Sequence, residues 1–450
     1  MSSGTGPHLP GPLEVLAGFG FSAFRVPASS GTGVFRSRCD LLCSAVEFDH
    51  LGTLEWLLEQ GIDVEGRRLP QHRGFEWDDE VSALLLAAEL QHPKSVKMLL
   101  KHGARPDVHD DDGTPLIYSA IHDDFESAGA LIAAGADINL YFKEWTYTPG
   151  EADDDNHDHE MVALQYAAAA GSTSVLRLLL AQPSTNRACG AGSRHGTALI
   201  LAARKRRAAA VDALIEVDAN TSLTDSRGRT ALWTAARYGH HETVRNLARR
   251  DLANLRITND LGRPPICVAA QYGHSSVVDV LTRCVFHTRT DDVDLLGATA
   301  LWIAARNGDV DVVRLFLKCN AKTTPNLDLV TPLAAAVLHG HLSVVKLLLS
   351  HNYRDMEAKS LTGRDAIDEA ILFDIEGENI DGVSRDDIQT KMMAMMQEAL
   401  DARMSQLNIE AAEDNAEESE VEDGEENEKR DGEEFEEEEG VWDVVWRYIF

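Results

Sequence analysis

Residues 228–240 read Gly228-Arg229-Thr230-Ala231-Leu232-Trp233-Thr234-Ala235-Ala236-Arg237-Tyr238-Gly239-His240. Residues 262–274 return to the same phrase as Gly262-Arg263-Pro264-Pro265-Ile266-Cys267-Val268-Ala269-Ala270-Gln271-Tyr272-Gly273-His274. Shorter echoes stand at Thr299-Ala300-Leu301 with Ala304-Ala305-Arg306-Asn307-Gly308-Asp309, and at Thr331-Pro332-Leu333 with Gly340-His341. The Leu or Ile of this phrase marks a register along the chain: Leu42, Leu84, Leu116, Leu164, Leu199, Leu232, Ile266, Leu301, Leu333 and Ile367. Successive marks are 42, 32, 48, 35, 33, 34, 35, 32 and 34 residues apart, so two of the intervals are one period plus an insertion. A fixed period of this size is the signature of a repeat array, whose units bury their apolar faces only against neighbours.

Each part of the phrase has a physical task. Thr before the register residue caps the free N–H groups of a helix start, and Pro in the first turn has its φ preset. Ala-Ala keeps the first helix thin, so that the next unit packs close. Gly-His ends that helix. The stretches that follow carry Val277, Val278 and Leu281, or Val312, Val313, Leu315 and Leu317, at the spacing of a second amphipathic helix.

The phrase, its period and Gly135-Ala136-Asp137-Ile138-Asn139 together resemble the ankyrin repeat, a turn followed by two helices. The resemblance covers about Asp40 to Glu378. It implies an all-α solenoid of about nine to ten helix-turn-helix units with short hairpin loops. The His that follows Thr-Pro-Leu in that family is replaced here by Ile117, Ile200, Trp233, Cys267, Trp302 or Ala334. The resemblance also implies a non-catalytic, protein-binding role, with partners on a concave face built from finger tips and inner-helix ends. Mapped onto this chain, that face is Arg194, Arg204, Lys205, Arg227, Arg229, Arg237, Tyr238, Arg263, Gln271, Tyr272, Arg306 and Asn307. Arg and Tyr are enriched where interfaces concentrate their binding energy.

Charge sorts the partners. The chain of 450 residues carries 42 basic and 74 acidic side chains, a net of −32. A field of that sign repels phosphate, so direct nucleic-acid binding is not expected. The charge is uneven. Residues 411–440 hold 17 acidic and 2 basic residues, and 107–160 hold 15 acidic and one basic. Residues 187–263 reverse the sign, with 14 basic and 7 acidic. The expected function is a scaffold or adaptor that binds an acidic peptide or domain on its basic concave face, with the acidic tail as an internal competitor. The alternative is a nuclear regulatory cofactor, or an inhibitor of a basic nucleic-acid-binding protein, acting through that tail. Six scattered cysteines without CxxC spacing point to a reducing compartment, cytoplasm or nucleus. No apolar run is long enough to span a bilayer, and a monomer is expected.

The domain expectation is a disordered segment over 1–38 and a solenoid over 39–383 with insertions at 65–80 and 141–160. A capping helix over 384–408, an acidic disordered tail over 409–440 and an apolar segment over 441–450 follow. No cofactor or metal is expected. His240-His241-Glu242-Thr243-Val244 has Arg245 where a HExxH zinc motif needs His. Gly190–Gly196 has the wrong spacing for a phosphate loop. His157-Asp158-His159-Glu160, beside Asp153-Asp154-Asp155, has metal-ligand chemistry without a fixed frame. Arg204-Lys205-Arg206-Arg207 reads as a solvated or partner-facing patch rather than an import signal, because it ends a repeat helix.

Overall fold

The structure is a computed structural model, and it describes residues 38–68, 81–110, 113–144, 159–185, 196–284, 290–351, 358–371, 387–402 and 405. The chain divides into two units, Met1–Pro332 and Leu333–Phe450. The segments 1–37 and 409–450, the interiors of both insertions and Ser384 lie outside the described residues.

In the first unit helices come in pairs. They are α1 (Arg38–Glu47) and α2 (Leu51–Glu59), α3 (Ala83–Glu89) and α4 (Pro93–Lys101), α5 (Pro115–His122) and α6 (Phe125–Ala133), α7 (Ala163–Ala170) and α8 (Thr173–Leu180). Then follow α9 (Ala198–Arg204) and α10 (Ala208–Glu216), α11 (Ala231–Arg237) and α12 (His241–Arg250), α13 (Pro265–Gln271) and α14 (Ser275–Cys284), α15 (Ala300–Asn307) and α16 (Val310–Lys318). The first helix of each pair packs on the first helix of the next, and the second on the second. This is the repeat array that the period requires.

The caps follow the sequence reading. The hydroxyls of Thr114, Thr197, Thr230 and Thr299 accept from the backbone N–H three residues on. Pro93, Pro115 and Pro265 stand in first turns. Ala202, Ala203, Ala235, Ala236, Ala269, Ala270, Ala304 and Ala305 are wholly buried, which is what lets inner helices approach. The register residues are buried too, except Ile367, which is half-buried in the second unit. One detail is corrected. On α16 the buried stripe is Val312, Val313, Phe316 and Leu317, whereas Leu315 is half-exposed. A helical face takes residues four apart, so it selects Phe316 over its neighbour.

The two long intervals between register residues hold the only strands among the described residues. Strand β1 (Arg67–Arg68) pairs antiparallel with β2 (Val81–Ser82). Strand β3 (Phe142–Glu144) pairs with β4 (His159–Met161), Phe142 facing Met161. Each inserted segment thus leaves and re-enters through a short ladder. Its return strand runs straight into an inner helix: Ser82 caps α3, and the Val162 N–H donates to Gln165 in the first turn of α7. The ladder holds the repeat in register across the insertion.

In the second unit lie α17 (Pro332–Leu338), α18 (Leu342–His351), α19 (Ala366–Ile371) and α20, residues 387–402. Helix α20 buries Ile388, Met392 and Met396, one side chain per turn. It borders an open groove shared with α18 and lined by Leu342, Lys346, Lys391 and Met395. No described helix is long and apolar enough to cross a membrane.

Candidate functional site

The fingers before α11, α13, α15 and α17 are each built on an Asp or Asn seven residues ahead of the register residue. Asp225 Oδ1 accepts from the N–H groups of Arg227 and Arg229. Asn259, Asp294 and Asn326 do the same for the residues two and four further on. Such a side chain replaces a backbone turn and sets the loop. Neighbouring fingers are then tied through their backbones: Asp260 N–H to Arg227 C=O (3.1 Å), Leu295 N–H to Leu261 C=O (3.2 Å) and Leu327 N–H to Leu296 C=O (3.0 Å).

These fingers consume two of the cations expected to face a partner. Arg229 is buried, and its Nε donates to Asp225 Oδ2 at 2.7 Å, with the pair's side chains 6% and 0% exposed. Its guanidinium lies 5.8 Å from the Trp233 ring centroid. Arg263 pairs with Asp294 of the next finger at 3.0 Å, and its Nη1 donates to Gln271 Oε1 at 2.8 Å. The expectation that Arg229 lines an open strip is therefore corrected. A charge this deep is held only with its counter-ion, and the Asx turn has already placed that counter-ion in the loop.

At the other end of the inner helices the cations are less deeply set: Lys205 and Arg306 are exposed, Arg204 and Arg237 half-buried. Arg237 sits over two rings, 5.7 Å from Tyr238 and 5.5 Å from Tyr272, and so joins neighbouring repeats. Tyr272 is 46% exposed. Arg306 is exposed and lies 5.8 Å over the Trp302 ring. Asn307 donates from Nδ2 to the Gln271 carbonyl at 2.8 Å. Arg204 is half-buried and Lys205 exposed at the end of α9. Arg227 is half-buried within its finger. Arg194 lies outside the described residues. The structure thus brings together Arg237, Tyr238 and Tyr272, and separately Arg263, Gln271 and Asn307.

Sequence reasoning missed the side chains that hold this face in place. In the sequence the Gly-His phrase signals only a helix break. In the fold its His is also a tie: a ring N–H of His240 donates to Ala203 C=O (2.8 Å) and one of His274 to Arg237 C=O (2.8 Å). His92, Ser172 and Arg207 take the same place and bond Val46, Ile121 and Ala169. Each accepting carbonyl is in the last turn of the preceding inner helix, where no intrahelical donor remains. Burial holds the His240 imidazole below its ordinary value of 6.5; the hydrogen bond to Ala203 opposes this, and the nearby Arg206 and His274 act with burial. The Trp indoles were missed as well. Trp233 Nε1 donates to Arg263 C=O and Trp302 Nε1 to Val330 C=O, both at 2.9 Å. Gln165 bonds Gly196 C=O from the same position. The legible signal was a donor-bearing side chain right after the register residue.

Other tempting chemistry is not assembled here. Cys267 is buried, which pushes its thiol up, and it is directed at the Asp292 carbonyl. Among the described residues no group of His, Cys, Asp or Glu is arranged to hold a metal, and His157 and Asp158 lie outside them.

Comparison with known proteins yields a match to a family model described as ankyrin repeats, in three copies over residues 42–141, 199–291 and 283–360. Among solved structures, the crystal structure of the human ASB11 ankyrin repeat domain is similar, with 22% identity and a TM-score of 0.43, covering 52% of this chain and 96% of that one. A search of curated proteins finds no match.

Proposed function

The chain belongs to the ankyrin repeat family, whose repeats are non-catalytic protein-binding modules, and we propose that it is an adaptor holding an acidic segment of another protein. The segment lies across the ends of the inner helices, where Arg237 and Arg306 lie over Tyr238, Tyr272 and Trp302, and Arg204 and Lys205 end α9. The observation that carries this reading is Arg237, poised over two tyrosine rings from adjacent repeats. A guanidinium on an aromatic face is pre-aligned and keeps its donors for a carboxylate. The fingers contribute frame rather than charge, because Arg229 and Arg263 already hold Asp225 and Asp294.

Two finer elements go with the proposal. The acidic stretch 411–440 competes with the partner for the same cations, and α20 acts as the C-terminal cap of the repeats. Nothing among the described residues favours the alternative of a nuclear cofactor working through that stretch, which lies outside them.

The test is a titration of the full chain with a synthetic glutamate-rich peptide, read by fluorescence anisotropy at low and at high salt. Screening over ~10 Å at 0.1 M weakens exposed pairs, so affinity falls as salt rises. The double variant Arg237→Glu, Arg306→Glu loses most of the binding, and removing 411–450 strengthens it at low salt. Affinity unchanged in the double variant removes the reading.

A further inference from the structure

Large exposed apolar side chains gather at the finger tips of the last repeats of the first unit. Leu261 is 56% exposed, Leu295 66%, Leu296 60%, Leu327 66% and Leu329 45%. They belong to three successive fingers, and the backbone bonds from Leu295 to Leu261 and from Leu327 to Leu296 make the row continuous. The earlier finger of the same build, Asp225–Thr230, carries Ser226, Arg227 and Gly228 at these places instead. Scattered exposed leucines need no explanation, but a contiguous row marks a binding surface.

The backbone of the row decides what kind of partner it takes. The N–H groups of Leu261, Leu295, Leu296, Leu327, Asp328 and Leu329 are all used within or between the fingers. The row offers an added strand no N–H donor, so a partner must mainly bury side chains against side chains. Neighbouring units stack at roughly 10 Å. Seven helical residues rise about 10.5 Å and return to nearly the same face. A helix with an apolar residue at every seventh position therefore meets one finger after another. Charge sets its flank: Trp302 links the finger at Val330 to the Arg306 guanidinium above its ring, so Arg306 stands beside the row.

We infer that the Leu261–Leu329 row docks an amphipathic helix of a partner protein, with apolar residues one heptad apart and carboxylates along the side facing Arg306 and Arg237. This deepens the adaptor reading and rests on it for the charged flank, but the apolar row is a separate requirement.

The experiment uses the full chain and two synthetic peptides of one composition. One carries Leu at every seventh position with Glu beside each, and the other is its scrambled form. Anisotropy titrations are run on the unaltered chain, on the triple variant Leu261→Gln, Leu295→Gln, Leu327→Gln, and on Arg237→Glu, Arg306→Glu. The heptad peptide is expected to bind roughly tenfold more tightly than the scrambled one, about the worth of one buried leucine. The leucine variant erases that preference while its unfolding midpoint stays in place, since these side chains are exposed. The arginine variant weakens both peptides and keeps the preference. Equal binding of the two peptides overturns the inference, as does a preference that survives in the leucine variant. If the arginine variant still weakens both peptides in that case, the adaptor reading stands and only the leucine row falls. A concentration-dependent dimer that the leucine variant abolishes, with neither peptide binding, assigns the row to a second copy of this chain and overturns the inference as well.

Discussion

Arg229 and Arg237 are eight residues apart on either end of one inner helix, and the sequence presents them as members of one basic strip. The fold treats them in opposite ways. Arg229 enters a finger whose turn is built on Asp225, and it is buried on that carboxylate. Arg237 follows the last buried Ala of α11 and lies over tyrosine rings at the surface. The difference shows what a periodic cation means in a repeat array. Where an Asx turn supplies a carboxylate four residues earlier, the cation is frame. Where the chain leaves a helix among aromatic side chains, the cation lies on ring faces instead, as Arg237 does.

The sharpest way to break this contrast is to truncate each arginine in turn. Arg229→Ala strands the Asp225 carboxylate in the interior, and a loss of about 3–5 kcal/mol is expected in urea unfolding. Arg237→Ala removes only a surface cation–aromatic contact, so its expected cost is at most about 1 kcal/mol. Equal costs would erase the distinction between frame and face.

A second comparison sits within the fingers. Gly297 and Leu329 occupy the same place in successive fingers, with φ of 71° and 58°. A Cβ on Gly297 would stand 2.8 Å from the Leu327 backbone nitrogen. Gly297→Ala is therefore expected to cost about 1–3 kcal/mol, since neither the φ nor the neighbouring finger yields easily. Thermal unfolding of that variant checks it.

The ties between repeats predict a pH dependence. The folded pKa of His240 lies below the ordinary imidazole value, because burial disfavours its charged form. An unfolded chain then takes up this proton more readily than the folded one. The stability from this group is complete above the unfolded value near pH 6.5 and is lost as pH falls through the folded value. His240→Gln keeps a donor for the Ala203 carbonyl without titrating. Urea midpoints measured from neutral to mildly acidic pH should show a shallower slope in that variant, and an identical slope would assign the dependence elsewhere. The smallest effect is expected at Leu329. Leu329→Gly relieves a left-handed φ but frees the unfolded chain, for a net gain of no more than about 0.5 kcal/mol.

The helices were legible because their signals are local. Thr230, Ala235, Ala236 and Gly239 each state a cap, a close approach or a stop, and the period repeats the statement. The hairpins at Arg67–Ser82 and Phe142–Met161 were not legible, since a two- or three-residue strand has no periodicity to read. The site was legible only in part. Which side of the chain carries cations follows from the register. Whether a cation is spent depends on partners such as Asp294, 31 residues beyond Arg263, and on a turn that the Thr-Pro-Leu phrase does not announce.

The most direct test of the frame-and-face account is a hydrogen-exchange map of the full chain with and without the glutamate-rich peptide. The account predicts slowed exchange around 204–207, 237–240, 271–274 and 306–309, while Asp225–Arg229 changes little. Protection confined to the inserted segments at 65–80 and 141–160, with the inner-helix ends unaltered, would contradict it.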